Sequence, residues 1–230
     1  MMKEYKRELP IFSFYDVTGM ARHLEHMAKK GWMLERISGW CWRYRRMEAK
    51  KLHFTVSYAL PVSEFEPFAT PEQEIFQDFC GHAGWKLAAS SGAMQIFYNK
   101  EEDPVPIETE PELEINSIHR IARRQAPVQF VLALLSLWMG ASWCWSMISS
   151  PIDLLPSPIN LFSGVCWLAI FLWCAADLAV YFIWRHRARR LAVQGEFLPT
   201  RGCRPLLWVL IIAILIHLVY TFWALSLIHI

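Results

Sequence analysis

Three long apolar runs occupy the second half of the chain. They cover Ala126–Ile148, Ile159–Trp184 and Pro205–Ile230, and Asp177 is the only Asp, Glu, Lys or Arg within them. A helix needs about 20 mostly apolar residues to cross the hydrocarbon core of a bilayer. The runs therefore predict three transmembrane helices within a membrane domain over residues 117–230.

The first half of the chain alternates between helical and strand periodicities. The helical period predicts one helix over Val17–Lys30, capped by Asp16 or Thr18, and a second helix over Pro71–Ala83. The second helix is predicted to bury an apolar face made of Ile75, Phe76, Phe79 and Cys80.

Alternation of period two predicts the strands of this half. The predicted strands are Leu9–Phe14, Gly39–Arg46, Leu52–Leu60, Lys86–Ala89 and Met94–Asn99. Helices and strands of this kind predict an α+β domain over residues 1–100, with one antiparallel sheet and both helices on one face.

A Gly-Trp pair ends each predicted helix. Gly31 and Gly84 are placed as the residues after the helix, where glycine adopts the left-handed conformation without a Cβ penalty. Trp32 and Trp85 are then expected to pack back on the last helical turn, and a strand should follow. The repeated order predicts a duplicated helix–Gly-Trp–strand unit, and it assigns the four residues a structural role.

Residues 101–116 separate the two halves and are predicted to form an extended linker. The stretch from Lys100 to Glu114 holds seven acidic residues and three prolines, which leaves too little apolar surface to fold alone. A short juxtamembrane helix capped by Asn116 is expected to follow.

The charge distribution predicts the orientation in the membrane. Residues 126–230 carry six Arg and no Lys, and all six lie between positions 185 and 204, in the loop between the second and third runs. The positive-inside rule therefore places the N-terminal half and this loop in the cytoplasm and the C-terminus outside. The overall net charge of +2 does not suggest direct nucleic-acid binding.

Two polar residues lie deep within the apolar runs. Asp177 and His217 fall at similar depths in antiparallel spans, so they are candidates for a proton or ligand site. A hydrogen bond that fixes helix packing is the simpler interpretation.

The remaining candidates lie in the first half. Arg43, Arg45 and Arg46 form a basic hairpin that could dock an acidic peptide, a phosphate-bearing ligand or the acidic linker, although a solvated strand face is the preferred interpretation. His23 and His26 could share a metal, but no further ligand completes a set, so neither a metal nor a cofactor is predicted.

Motifs spread over residues 9–115 resemble the domain-of-unknown-function family 2812. The pattern runs from an Asp through MA-x-x-GW-x-L, F-x-V-x-Y and a second GW-x-L to QIFY and PVPIETE. The matching residues are Asp16, Met27, Ala28, Gly31, Trp32, Leu34, Phe54, Val56, Tyr58, Phe79, Gly84, Trp85, Leu87, Ile96, Phe97, Tyr98 and Pro106. The resemblance implies a cytosolic module joined to transmembrane helices, and it supplies no catalytic residue. Such families are often encoded beside PadR-like transcriptional regulators, which implies a regulatory role.

Two functions follow as hypotheses. The first is a membrane-anchored regulatory or sensory protein, non-enzymatic, whose cytosolic module binds a protein partner such as a transcription regulator, or a small effector. The alternative is a small transport or efflux accessory subunit that uses Asp177 and His217. The lipid bilayer is the expected partner in both cases, and self-association is compatible with either. The sequence contains no P-loop, GxGxxG, HExxH or GxSxG motif that would favour an enzyme.

Overall fold

The computed structural model describes residues 4–9, 12–38, 41–58, 71–149 and 158–202, without the side chains of Glu72 and of residues 158–162. The strands among these residues are β1 (Tyr5–Glu8), β2 (Trp32–Ser38), β3 (Cys41–Arg46), β4 (His53–Tyr58), β5 (Lys86–Ser91) and β6 (Met94–Asn99). The helices among them are α1 (Val17–Lys29), α2 (Pro71–His82), α3 (Pro111–Ser149) and α4 (Pro158–Ala192). The predicted third span lies outside the described residues.

The strands form two antiparallel sheets, so the prediction of a single sheet is wrong. The first sheet has the order β1-β3-β2 and the second has the order β4-β6-β5. The edge strands β2 and β5 lie against each other but belong to separate sheets. Each carries a register shift, at Leu34/Arg36 and at Leu87/Ala89. Because such bulges bend and twist a strand, they work against continuous pairing across this junction.

The first strand begins earlier than the sequence predicted. β1 covers Tyr5–Glu8, whereas the described residues of the predicted strand Leu9–Phe14 are not extended sheet. A turn leads into the first helix instead, since the backbone N–H of Asp16 donates to Ser13 O at 3.0 Å.

Helix α1 packs as its periodicity predicted. The Asp16 side chain caps it by accepting a hydrogen bond from the Gly19 N–H at 3.0 Å. Its buried residues are Val17, Met20, Leu24, Met27 and Ala28. This face lies against β2 and β4, so α1 contacts both sheets.

Helix α2 buries only part of its predicted apolar face. Cys80 is buried with Trp85 and Phe97, and Phe76 packs against that cluster. Ile75 and Phe79 are 70% and 63% exposed, so the prediction that they face the core is wrong. Among the described side chains of α2, only Gln73, Phe76, Gln77 and Cys80 are buried or half-buried, so the helix meets the second sheet along a narrow strip.

Both Gly-Trp pairs form the predicted joint between helix and strand. Gly31 and Gly84 have φ angles of 80° and 83°. At the second joint the N–H groups of Gly84 and Trp85 donate to Gly81 O and Cys80 O, both at 3.0 Å, which is the Schellman pattern. At the first joint the Gly31 N–H donates to Ala28 O at 3.0 Å. Strands β2 and β5 follow directly; β5 contains the predicted strand Lys86–Ala89, whereas the strand predicted after the first pair was Gly39–Arg46 and β2 was missed.

The chain divides into two compact units. The first comprises Met1–Ala122 with Trp184–Gly202, and the second comprises Arg123–Ile183 with Cys203–Ile230. Helices α3 and α4 are long and apolar enough to span a membrane. Helix α3 begins at Pro111, earlier than the expected cap at Asn116, and continues through Pro127 without an intervening loop.

Candidate functional site

A cavity of about 360 Å³ lies within the first unit. Its walls come from the start of α1, the strand β4, the segment that precedes α3, the first turn of α3 and the loop after α4. The lining residues are Val17, Thr18, Ala21, Thr55, Val56, Ser57, Pro106, Ile107, Glu108, Glu114, Phe197, Leu198 and Pro199. A concave site of this size with apolar walls and few polar groups is typical of a small-ligand pocket.

The segment before α3 is held against the second sheet rather than extended as a linker. The Trp85 indole N–H donates to Val105 O at 2.7 Å, and Ile107 packs against the buried cluster of Cys80, Trp85 and Phe97. The Ser57 hydroxyl donates to Glu108 Oε1 at 3.2 Å. The Ile107 side chain, the Val105 carbonyl and the Glu108 carboxylate thus dock this acidic stretch.

The loop after α4 is fixed to the start of α1 by two reciprocal hydrogen bonds. The Thr18 N–H donates to Thr200 Oγ1 at 2.9 Å, and the Thr200 N–H donates to Thr18 Oγ1 at 3.0 Å. The Trp184 indole N–H, on α4, donates to Leu198 O of this loop at 3.2 Å. Thr200 is 1% exposed. These contacts hold Phe197–Pro199 in place as one wall of the cavity.

The cavity carries two partly buried carboxylates. Burial raises the pKa of Glu108, and hydrogen bonds to Ser57 and Ser117 partly offset that rise. Burial, with a contribution from the negative charge of Glu108, raises the pKa of Glu114 to about 7. The described lining residues include no Lys or Arg. The site therefore becomes electronegative near neutral pH and favours a positively charged occupant.

The sequence did not identify Glu108 and Glu114 as site residues. Both lie in an acidic stretch whose composition resembles that of a solvated linker. The signal that distinguishes them is the pair Val105 and Ile107, which alternate with prolines and provide the atoms that dock on the sheet.

The predicted basic hairpin is largely engaged within its own sheet. Arg43 Nε lies 2.7 Å from Glu35 Oε2, and its guanidinium lies 5.0 Å from the centroid of the Tyr5 ring. The Arg46 guanidinium lies 5.0 Å from the centroid of the Trp32 ring. Arg45 is exposed on the same strand.

Of the two candidates in the apolar runs, Asp177 lies among the described residues. It is 2% exposed, and its Oδ2 accepts a hydrogen bond from Gln129 Nε2 at 3.0 Å within the second unit. Gln129 was not predicted as a site residue from the sequence. His217 lies outside the described residues, so its predicted proximity to Asp177 stays a prediction.

The histidines of α1 are directed to different surroundings. The His23 ring packs edge-on against Phe12, with centroids 5.5 Å apart, and its Nε2 lies 3.6 Å from Glu8 Oε1. His26 is exposed on the outer side of the helix. Among the described residues, no group of three or more His, Cys, Asp or Glu side chains could hold a metal ion.

Residues 17–131 match the family model described as "Protein of unknown function (DUF2812)". The match covers half of the chain. The protein belongs to the DUF2812 family. No curated protein and no solved structure gives a significant match.

The DUF2812 match includes most walls of the cavity. It contains α1, β4, the docked segment and Glu114, whereas Phe197–Pro199 lie beyond it. The docking of the acidic segment on the second sheet thus falls within the part of the chain that defines the family, and the loop wall does not.

Proposed function

We propose that this DUF2812 protein is a membrane-anchored regulatory or sensory protein whose cytosolic module binds a small effector in the cavity. The observation that carries the proposal is the composition of the cavity wall. Three parts of the chain that are distant in sequence meet there: the α1–β4 core, the segment at 106–114 and the loop at 197–199. An occupant that contacts all three would stabilise their association.

The effector that fits best is a small cation with an apolar body. Val17, Val56 and Ile107 supply apolar walls, while Glu108 and Glu114 supply negative charge without a basic counterpart among the described lining residues. A bound cation would lower the pKa of both carboxylates and so bind more tightly above pH 7 than below it.

We also propose three membrane spans, with the N-terminal module and the Arg-containing loop in the cytoplasm and the C-terminus outside. The contacts between Thr18 and Thr200 support this, because they require the module and the loop to lie on one side of the membrane. The arginines of that loop indicate the cytoplasmic side. A reporter fused to the C-terminus is expected to be extracytoplasmic, and a cytoplasmic signal would contradict three spans.

We further propose that the module is an internal duplication of a strand–helix–strand–strand unit. In both sheets the last strand of the unit lies in the centre. Gly31 and Gly84, 53 residues apart, occupy the same conformation, and each is followed by a register shift at the same offset. The shared offset favours common ancestry of the two units over an independent origin of the same topology.

The regulatory proposal is tested by crosslinking the tagged full chain in native membranes and identifying its partners. The comparison uses Ala21→Trp, which fills the cavity, and Arg22→Trp, which adds the same bulk at an exposed neighbour on α1. We expect a transcription regulator to be recovered, with a yield that Ala21→Trp changes and Arg22→Trp does not. Recovery of transporter subunits, with equal yields from both variants, would contradict the proposal.

The transport accessory subunit is the second candidate, favoured by the nearly complete burial of the Asp177 carboxylate. The Gln129–Asp177 hydrogen bond is what a packing role also requires. The two functions separate in a variant pair. If the Asp177→Asn, His217→Ala double variant abolishes activity in cells while deletion of residues 1–115 has no effect, the transport function is correct and the regulatory proposal fails.

A further inference from the structure

Three arginines lie in register across the outer face of the first sheet. Arg43, on the central strand β3, is paired with Arg7 of β1 on one side and with Arg36 of β2 on the other. Arg45 follows one row further along the same face, opposite Tyr5. Like charges directly opposite one another destabilise a sheet, so this arrangement calls for a compensating anionic group.

The chain supplies only part of that compensation. Glu35 approaches Arg43 at 2.7 Å. Within the described part of the chain no ion pair forms on Arg7, Arg36 or Arg45, and all three are exposed. Three positive charges on this face therefore remain available to a partner.

Exposed apolar side chains flank the arginines. Tyr5 and Leu9, which alternate with Arg7 along the first strand and its continuation, are 51% and 63% exposed. A basic surface with protruding aromatic and aliphatic side chains is the composition of protein surfaces that bind anionic bilayers. A polyanion in solution would use the charges without needing the apolar groups.

We propose that the outer face of the first sheet, formed by Arg7, Arg36, Arg43 and Arg45 with Tyr5 and Leu9, docks on the anionic lipid headgroups of the membrane that anchors the chain. The proposal rests on the membrane insertion proposed above and is independent of the effector cavity. It gives the module a second, reversible attachment whose strength depends on lipid charge and falls as ionic strength rises.

The test is hydrogen–deuterium exchange of the full chain in nanodiscs, with either phosphatidylcholine alone or phosphatidylcholine with 30% phosphatidylglycerol. The variant Arg7→Gln, Arg36→Gln, Arg45→Gln removes the three free charges. The matched control Arg22→Gln, Lys29→Gln, Lys30→Gln removes three exposed charges from α1. A third variant replaces the same three arginines of the face by Lys, which keeps the charge if the Gln variant fails to fold.

We expect slower exchange in β1 and β3 of the wild-type chain in phosphatidylglycerol nanodiscs than in neutral ones. Each Arg removed should lower the ratio of docked to undocked module about fivefold. The protection should survive in the control and in the Lys variant, and it should vanish in the Gln variant and at 0.5 M salt. Equal exchange in both nanodiscs would overturn the proposal. Protection of β1 and β3 by polyglutamate or an oligonucleotide in neutral nanodiscs, with no effect of anionic lipid, would overturn it as well. Loss of effector binding with lipid-dependent protection intact would count against the cavity and not against this face.

Discussion

The two halves of the α+β module use the same joint for different purposes. Trp85 is 4% exposed, packs against Cys80 and Phe97, and donates a hydrogen bond to the docked acidic segment. Trp32, at the equivalent joint, is half-buried and lies beneath Arg46 at the surface. The second joint thus anchors a wall of the candidate site, whereas the first only turns the chain. Equivalent positions in a repeated architecture need not share a function.

The two sheets also differ in the surfaces that they present. The Phe97 side of the second sheet is covered by Phe76 and Cys80 of α2 and by Ile107. The first sheet presents arginines in register on its outer face. Function is therefore best sought where the two halves differ: the cavity on the second sheet and the basic face on the first.

The largest effect should come from removing the tryptophan that the second half uses. Trp85→Ala deletes a buried aromatic side chain and the hydrogen bond to Val105, so it should destabilise the first unit by about 3–5 kcal/mol. Trp32→Ala should cost about 1 kcal/mol, because its ring is only half-buried. Denaturant unfolding of the full chain in detergent, followed by near-UV circular dichroism, measures both. Equal losses in the free energy of unfolding would show that the two tryptophans stabilise the fold equally.

Replacing the two glycines should destabilise the fold in the opposite order, with the larger loss at Gly31 and the smaller at Gly84. A Cβ at Gly31 would lie 2.8 Å from the Met47 carbonyl oxygen, while one at Gly84 would first meet the Asn99 side-chain amide at 3.1 Å. Gly31→Ala is therefore expected to cost about 2–3 kcal/mol and Gly84→Ala about 1–2 kcal/mol, since both also carry the left-handed penalty. The shift in denaturation midpoint checks this order. A greater loss from Gly84→Ala would contradict the close approach at Met47.

A pH-dependent effect should be confined to the second half. The folded-state pKa of Glu114 is about 7, above its ordinary value of 4.5, so the folded chain holds this proton more tightly than the unfolded chain. Stability from this group is complete below about pH 4.5 and is lost as pH rises through 7. Glu114→Gln should thus raise stability by roughly 1 kcal/mol at pH 8, after allowance for solvent screening, and change little at pH 4.5.

Thermal unfolding at the two pH values measures this difference, and the control is Glu112→Gln, which removes an exposed carboxylate from the same helical turn. If both variants gain stability equally at pH 8, the effect belongs to the net charge of the segment and not to the cavity.

The smallest effect should come from the stacked arginine of the first half. Arg46→Gln removes the contact with the Trp32 ring and should cost about 0.5 kcal/mol. Double-mutant cycles with Trp32→Ala isolate the stacking energy. A coupling energy indistinguishable from zero would reduce Arg46 to a solvated residue.

The sequence predicted local structure better than long-range arrangement. Helix α1, its Asp16 cap and both glycine turns follow from short-range sterics and hydrogen bonds, and all were predicted. The separation into two sheets depends on bulges after Leu34 and Leu87 that no periodicity indicates. A strand was expected after each Gly-Trp pair, but in the first half it was predicted at Gly39–Arg46, and β2 at Trp32–Ser38 was missed because its bulge interrupts alternation.

The candidate site could not be predicted for a related reason. It requires contacts such as that of Thr18 with Thr200, which are 182 residues apart. Its acidic residues lie in a segment whose average composition indicates a linker, although the two apolar residues Val105 and Ile107 determine where it docks. Composition averaged over a window conceals such individual anchors.

Binding of a small cation in the cavity is tested most directly by titrating the full chain with benzyltrimethylammonium. Wild type is compared with Glu108→Gln, Glu114→Gln and with the matched control Glu110→Gln, Glu112→Gln, which neutralises two exposed carboxylates of the same segment. We expect saturable binding to wild type, an affinity at least about tenfold weaker in the cavity variant, and an unchanged affinity in the control. Equal affinity in all three proteins, or no saturable binding to wild type, would contradict it.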